Sequence, residues 1–257
     1  MTLLEVNNVS KEYVAGVKAL SDINFSIQEG EIVSIIGPSG AGKSTLLRCL
    51  NRMIDATDGE IIFDGVDVLK LKRSQLRKLR REIGMVFQHS NLVDRLTVME
   101  NVLHGRLGYT SLFHGMFGIY PKADRDKAQE IIQMLGLSNQ INQRADQLSG
   151  GQQQRAGICR ALIQKPKMML ADEPIASLDP SSSRVIMDYF KDINQTLGIT
   201  VLLNLHQVDV ALKYSDRIIG VNGGQIVFIG TPEEADIEVI QRIYGANAED
   251  LMMNVGE

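Results

Sequence analysis

Short blocks of branched apolar residues recur along the chain, separated by stretches with helical spacing. Leu3 to Val9, Ile23 to Ile27, Glu31 to Ile36, Ile61 to Phe63 and Ile83 to Phe87 read as strands. Lys167 to Ala171, Thr200 to Asn204, Ile218 to Val221 and Ile226 to Ile229 continue the series. Ile32 to Ile36, Met168 to Ala171 and Val201 to Leu203 are apolar almost without break, as in parallel strands covered on both faces. The early strands alternate instead, with Asp58-Gly59 and Asp64-Gly65 between them, which predicts an antiparallel layer with tight turns. Between Asn91 and Ile163 the strand signal vanishes. Lys122 to Leu135 and Gln152 to Gln164 carry helical spacing there, predicting a small helical subdomain. Its middle, Gly105 to Pro121, mixes glycine with aromatic residues and reads as a loop or partner-facing excursion.

The chemistry starts where a strand ends. After Ile36 comes GPSGAGKST: Gly37, Pro38, Ser39, Gly40, Ala41, Gly42, Lys43, Ser44 and Thr45, followed by the helical Leu46 to Asn51. Strand, glycine-rich loop and helix in that order form a phosphate loop. The glycines let successive N–H groups turn inward onto phosphate oxygens, and the helix N-terminus adds partial positive charge. Lys43 is placed to reach the β- and γ-phosphates, and Ser44 to offer its hydroxyl to Mg²⁺. A second apolar strand ends in Asp172 and Glu173, which delivers two acids to the carboxyl edge of a sheet. Asp172 suits an indirect or water-mediated contact to Mg²⁺ and Glu173 the polarisation of an attacking water. Together they predict hydrolysis of a nucleoside triphosphate.

Composition narrows the setting. Of the 257 residues, 27 are Lys or Arg and 31 Asp or Glu, a net charge of −4, which argues against a large basic face for nucleic acid. The run Lys70 to Arg81 holds seven basic residues and reads as a solvated helix face. Two cysteines, Cys49 and Cys159, lie far apart and outside any metal spacing, so they read as reduced and buried. No apolar run approaches the roughly 18–20 residues that cross a bilayer, and the N-terminus lacks the basic start of a signal peptide.

LSGGQ, Leu148 to Gln152, completes a pattern that resembles the ATP-binding-cassette family over essentially the whole chain. The resemblance implies an α/β P-loop NTPase with a mixed, largely parallel sheet core, an antiparallel β layer and an inserted helical subdomain. It divides a single domain, 1–257, into a core of 1–88 and 164–257 and an insert of 89–163. It implies that Tyr13 stacks on adenine, that Gln88 senses Mg²⁺ and the attacking water, and that His206 contacts the γ-phosphate. Ser149, Gly150, Gly151 and Gln152, with a helix opening at Gln152, would meet the nucleotide of a second copy. Asp179 would lie in a loop that crosses the dimer interface.

The chain between Lys43 and Leu148 shows no heptad pattern, unlike the chromosome-maintenance and repair ATPases. ADEPIASLDP, DINQTLGITV, LHQVDVALKY and NLVDRLTVMENVLHGRLG resemble the phosphonate-import ATPases, with Ile175, Ala176 and Gln207-Val208-Asp209 the more distinctive parts. The implied protein is a homodimeric ATPase at the cytoplasmic face of the cell membrane, using ATP and Mg²⁺. Its implied partners are integral-membrane permease subunits and, indirectly, an extracytoplasmic substrate-binding protein, with no nucleic acid. A permease helix would dock near Gln88 to Arg106. Two alternatives stay open: an ATPase for another small-solute importer, and a soluble one for cofactor assembly.

Overall fold

The computed structural model describes residues 1–14 and 16–245. The chain opens with a long antiparallel pair, β1 (Thr2–Val14) and β2 (Val17–Gln28), then crosses to β3 (Ile32–Ile36), every residue of which is buried. Helix α1 (Lys43–Leu50) follows, then β4 (Asp58–Phe63) and β5 (Val66–Asp67), which complete a four-stranded sheet ordered β2-β1-β4-β5. The expected tight turns divide here. Asp64 and Gly65 both take positive φ, 49° and 74°, and close the β4–β5 hairpin as a turn of that shape requires. Asp58-Gly59 makes no turn; it lies inside β4, where a Cβ on Gly59 would sit 2.6 Å from the Asn8 carbonyl oxygen. The glycine therefore serves a close approach of strands.

Helix α2 (Arg73–Glu82) leads into β6 (Ile83–Val86), and the helical stretch comes next: α3 (Val98–Leu103), α4 (Leu112–Met116), α5 (Lys122–Met134) and α6 (Gly150–Leu162). Two of these depart from expectation. Gly105 to Pro121 contains a short helix, started by Ser111, whose side chain accepts the His114 N–H. Helix α6 starts at Gly150 rather than Gln152, because Ser149 is its cap. Strand β7 (Met168–Asp172), α7 (Pro180–Leu197), β8 (Thr200–Asn204), α8 (Val208–Tyr214), β9 (Arg217–Asn222), β10 (Gln225–Gly230) and α9 (Ile237–Tyr244) finish the described chain.

Six strands form the second sheet, ordered β10-β9-β3-β8-β7-β6, parallel throughout except for the antiparallel pair β9–β10. It separates two apolar cores. Met169 and Ala171 of β7, with Val201 and Leu203 of β8, pack toward the helical stretch and α9. Met168, Leu170 and Leu202, between them in sequence, pack toward the antiparallel sheet and α1. The period of two puts alternate residues on opposite faces, so strands serving two cores must be apolar at nearly every position. Such a sheet brings the ends of β3, β7 and β8 to one edge, where the candidate site lies.

Candidate active site

The phosphate loop runs from the end of β3 into α1. Gly37 (φ 152°) and Gly42 (φ 100°) are required by crowding: a Cβ would sit 2.0 Å from the Val221 carbonyl oxygen at the first and 2.4 Å from that of Ala19 at the second. No side chain caps α1, so its first N–H groups face the loop without a side-chain partner. Lys43 is buried, and its ammonium donates to the carbonyl oxygens of Gly37 (2.7 Å) and Pro38 (3.0 Å). Burial pulls the Lys43 pKa below its ordinary value, against the opposing pull of Glu173 and Asp172. That cation sits on neutral oxygens and is available to an anionic ligand.

Asp172 is also buried, and one oxygen accepts from both Ser44 Oγ (2.7 Å) and Asn204 Nδ2 (2.8 Å). Its other oxygen lies 3.5 Å from the Arg48 guanidinium. Register explains Asn204: it stands directly opposite Asp172 in the β7–β8 pairing. Glu173, one residue on, has φ 52°, a left-handed conformation uncommon for a glutamate. The turn aims its carboxylate at His206, with Oε1 and Nε2 2.7 Å apart. Glu173 and His206 share with Ser39, Gly40, Lys43, Ser44 and Thr45 a cavity of about 180 Å³. Tyr13 stands beside it, half exposed, with its hydroxyl 3.3 Å from Thr45 Oγ1. Gln88 is exposed beyond the end of β6 and does not line the cavity.

Ser149, Gly150, Gly151 and Gln152 lie elsewhere. Ser149 and Gln152 cap each other across the start of α6: Ser149 Oγ accepts the Gln152 N–H, and Gln152 Oε1 accepts the Ser149 N–H at 2.9 Å. Ser149 and Gly151 line a separate cavity of about 280 Å³ with Arg155, Ser181 and Ser182. Asp179 caps α7, one oxygen accepting from the Ser181 hydroxyl at 2.5 Å and from the Ser181 and Ser182 N–H groups at 3.0 Å; the serine side chains first, and the N–H groups with them, hold its carboxyl far below the ordinary range. The two phosphate-facing ends of the chain do not share a cavity.

Sequence reasoning missed three members of the site. Asn204 ends an apolar strand two residues before His206, a position visible in the pattern. Arg48 lies one helical turn after Ser44, also legible once Asp172 was known to face the loop. Tyr244 has no local signal: from α9, its buried hydroxyl accepts the Gly37 N–H at 3.0 Å. The same helix inserts Ile243 where a Cβ on Gly220 would come within 2.4 Å of it. Burial pushes the Tyr244 phenol up to about 12.

Comparison with known proteins agrees with this geometry. A family profile described as ABC transporter matches residues 20–176. A phosphonates import ATP-binding protein of Oceanobacillus iheyensis is 57% identical over 98% of this chain and 99% of its own. One of Treponema denticola is 50% identical over 93% of this chain and 94% of its own. Among solved structures, a nucleotide-free ATP-binding cassette from an ABC transporter superposes with a TM-score of 0.84 at 30% identity, covering 100% of both chains. A dimeric cassette, MJ0796, in a post-hydrolysis state bound to ADP and Pi gives 0.77 at 36% identity, covering 90% of this chain and 99% of that one. With its phosphate loop, strand-end acids and LSGGQ helix on this sheet order, the chain belongs to the ABC transporter family, as an ATP-binding cassette.

Proposed function

We propose that this chain is the ATP-binding subunit of an importer for phosphonates or related phosphorus oxyanions, and that its ATP hydrolysis drives a separate permease. The observation that carries the hydrolytic part is the convergence of Lys43, Ser44, Glu173 and His206 on one cavity at the end of an uncapped helix. The cargo rests on the full-length likeness to phosphonates import ATP-binding proteins. No helix among the described residues is long and apolar enough to cross a membrane, so the membrane attachment is assigned to the permease.

In this reading Tyr13 stacks on the adenine, while Gly37, Pro38, Ser39, Gly40, Ala41, Gly42 and Thr45 wrap the phosphates. Lys43 exchanges the carbonyls of Gly37 and Pro38 for phosphate oxygens, a stronger charge-assisted pairing. Ser44 and Asp172 would hold Mg²⁺, with Gln88 drawn in on closure. The donors fit that ion: all are hard oxygens, and Asn204 Oδ1 beside them is buried without a partner. Among the described residues no group of three His, Cys, Asp or Glu could hold a metal alone, so phosphate oxygens and water would supply the remaining ligands. The ion, when bound, neutralises charge on the phosphates.

Glu173 takes a proton from water as its oxygen attacks the γ-phosphorus, and the bond to the bridging oxygen breaks, leaving ADP and phosphate. His206 orients Glu173 through the 2.7 Å contact and faces the γ-phosphate. In this reading each nucleotide is held between two copies of the chain, because Ser149, Gly150, Gly151, Gln152 and Asp179 do not line this cavity within one chain. Gln154 of α6 donates to the Phe87 carbonyl oxygen, which ties the insert, 89–163, to the Gln88 segment and gives closure a route to the permease. Deleting the gene tests the reading: uptake of a labelled phosphonate is expected to stop and to return with the wild-type chain but not with Glu173→Gln. Uptake undiminished by the deletion overturns it.

A further inference from the structure

Asn204 ends β8 fully buried, directly opposite Asp172 in the β7–β8 pairing, and it touches both strand-end acids. Its backbone carbonyl oxygen accepts the Glu173 N–H at 3.1 Å, which carries the ladder past the end of β7 and holds the left-handed turn at Glu173 in place. Its side chain serves the other acid. Nδ2 donates to Asp172 Oδ1 at 2.8 Å and to Ser44 Oγ at 3.2 Å, while Ser44 Oγ donates to the same Asp172 oxygen at 2.7 Å. Chemistry fixes this arrangement. A carboxylate only accepts, so the amide nitrogen must be the end that faces Asp172. Ser44 has a single hydroxyl proton, given to Asp172, and one of its lone pairs takes the amide N–H. Its remaining lone pair therefore has a set direction.

The other end of the amide is left over. Asn204 Oδ1 is buried and has no hydrogen-bond partner among the described residues. A buried acceptor without a donor costs stability, and holding Asp172 does not require one. This oxygen lies beside the hard oxygens of Ser44 and Asp172, so the donor that suits it is a water coordinated to a divalent cation, whose O–H bonds are polarised by the charge. The neutrality of the amide matters as well. Lys43 and Arg48 balance the charges of Asp172 and Glu173, and asparagine leaves that balance intact. A carboxylate in its place would stand within hydrogen-bond distance of Asp172, and two acids so close would attract a divalent cation without any nucleotide.

We propose that Asn204 is a positioning residue for the divalent cation: Nδ2 sets the Ser44–Asp172 pair, Oδ1 accepts a hydrogen bond from a water on the ion, and the neutral amide makes ion binding depend on nucleotide. This rests on the hydrolytic part of the function proposed above and is independent of the cargo. The test titrates the purified full chain with ADP in a calorimeter, once in Mg²⁺ and once in EDTA, and takes the ratio of the two affinities. Asn204→Leu is expected to lower that ratio about tenfold, the effect typical of losing a group that orients metal ligands, while the affinity in EDTA stays within about twofold. A merely structural asparagine would lower the melting temperature and leave the ratio alone. Asn204→Asp, of the same shape, keeps the test open where the apolar variant does not fold. Its melting temperature should rise with Mn²⁺ alone, whereas that of the wild-type chain should not. A wild-type ratio in Asn204→Leu, or no response of Asn204→Asp to Mn²⁺, overturns the proposal and leaves the hydrolytic reading standing. A wild-type chain whose ADP affinity Mg²⁺ does not raise overturns both.

Discussion

Two helices of this molecule begin at a phosphate motif, and they begin differently. Helix α1 starts after Gly42 with no side-chain cap, its donors facing a cavity that also holds Lys43, Glu173 and His206. Helix α6 starts after Ser149, whose hydroxyl and the Gln152 amide satisfy each other's backbone neighbours. An uncapped N-terminus carries unmet donors toward a ligand, whereas a capped one is stable without it. The first end is assembled by one chain. The second is self-contained, and in the proposed mechanism it exchanges its own cap for the nucleotide of another copy.

The sharpest way to break that contrast is Glu173→Gln, which should retain ATP binding, favour the ATP-bound dimer and lower turnover at least about 100-fold. Steady-state phosphate release checks it, and near-normal turnover would remove Glu173 as the base. Lys43→Ala removes a charge-assisted contact of about 1.5–3 kcal/mol, so ATP affinity of the isolated chain should fall by about ten- to a hundredfold. Fluorescent-nucleotide titration reads this directly; unchanged affinity would contradict the assembled character of the first end.

Ser149→Ala should act on the second end alone. Loss of the cap costs about 1 kcal/mol of stability, and ATP-dependent dimerisation should weaken while monomer affinity for ATP holds. Equal effects on both would erase the distinction between the helices. Tyr244→Phe is subtler. It leaves the Gly37 N–H buried and unpaired, so the Michaelis constant for ATP should rise a few-fold with turnover unchanged, as befits a positioning residue.

The smallest effect is a rate of alkylation. Cys49 sits on α1 and Cys159 on α6, both fully buried. Burial pushes the Cys49 thiol up to about 11 and Cys159 higher still, so neither should react with iodoacetamide while folded. Weakening the α6 cap by Ser149→Ala should raise Cys159 labelling and leave Cys49 slow. Mass spectrometry separates the two sites, and parallel increases would mean global rather than local opening.

Much of this protein is written locally. The phosphate loop needs glycines whose φ angles other residues avoid, and the doubly buried strands need near-continuous apolar runs. Asp172 and Glu173 follow from a strand end, and LSGGQ from a helix start. These features depend on neighbours in sequence, and composition and period expose them.

Other features exist only once distant segments meet. Asn204 reaches Asp172 through strand register, and Tyr244 reaches Gly37 from the other end of the described chain. The arginines of α2 form the solvated face the sequence predicts, but that the same face borders a groove follows only from the helical insert packing beside it. Pairing across long separations leaves no periodic trace, because side-chain spacing records only which face of an element is buried. Which element covers that face, and which polar groups it brings, is decided by the sheet order and the packing of the insert against it.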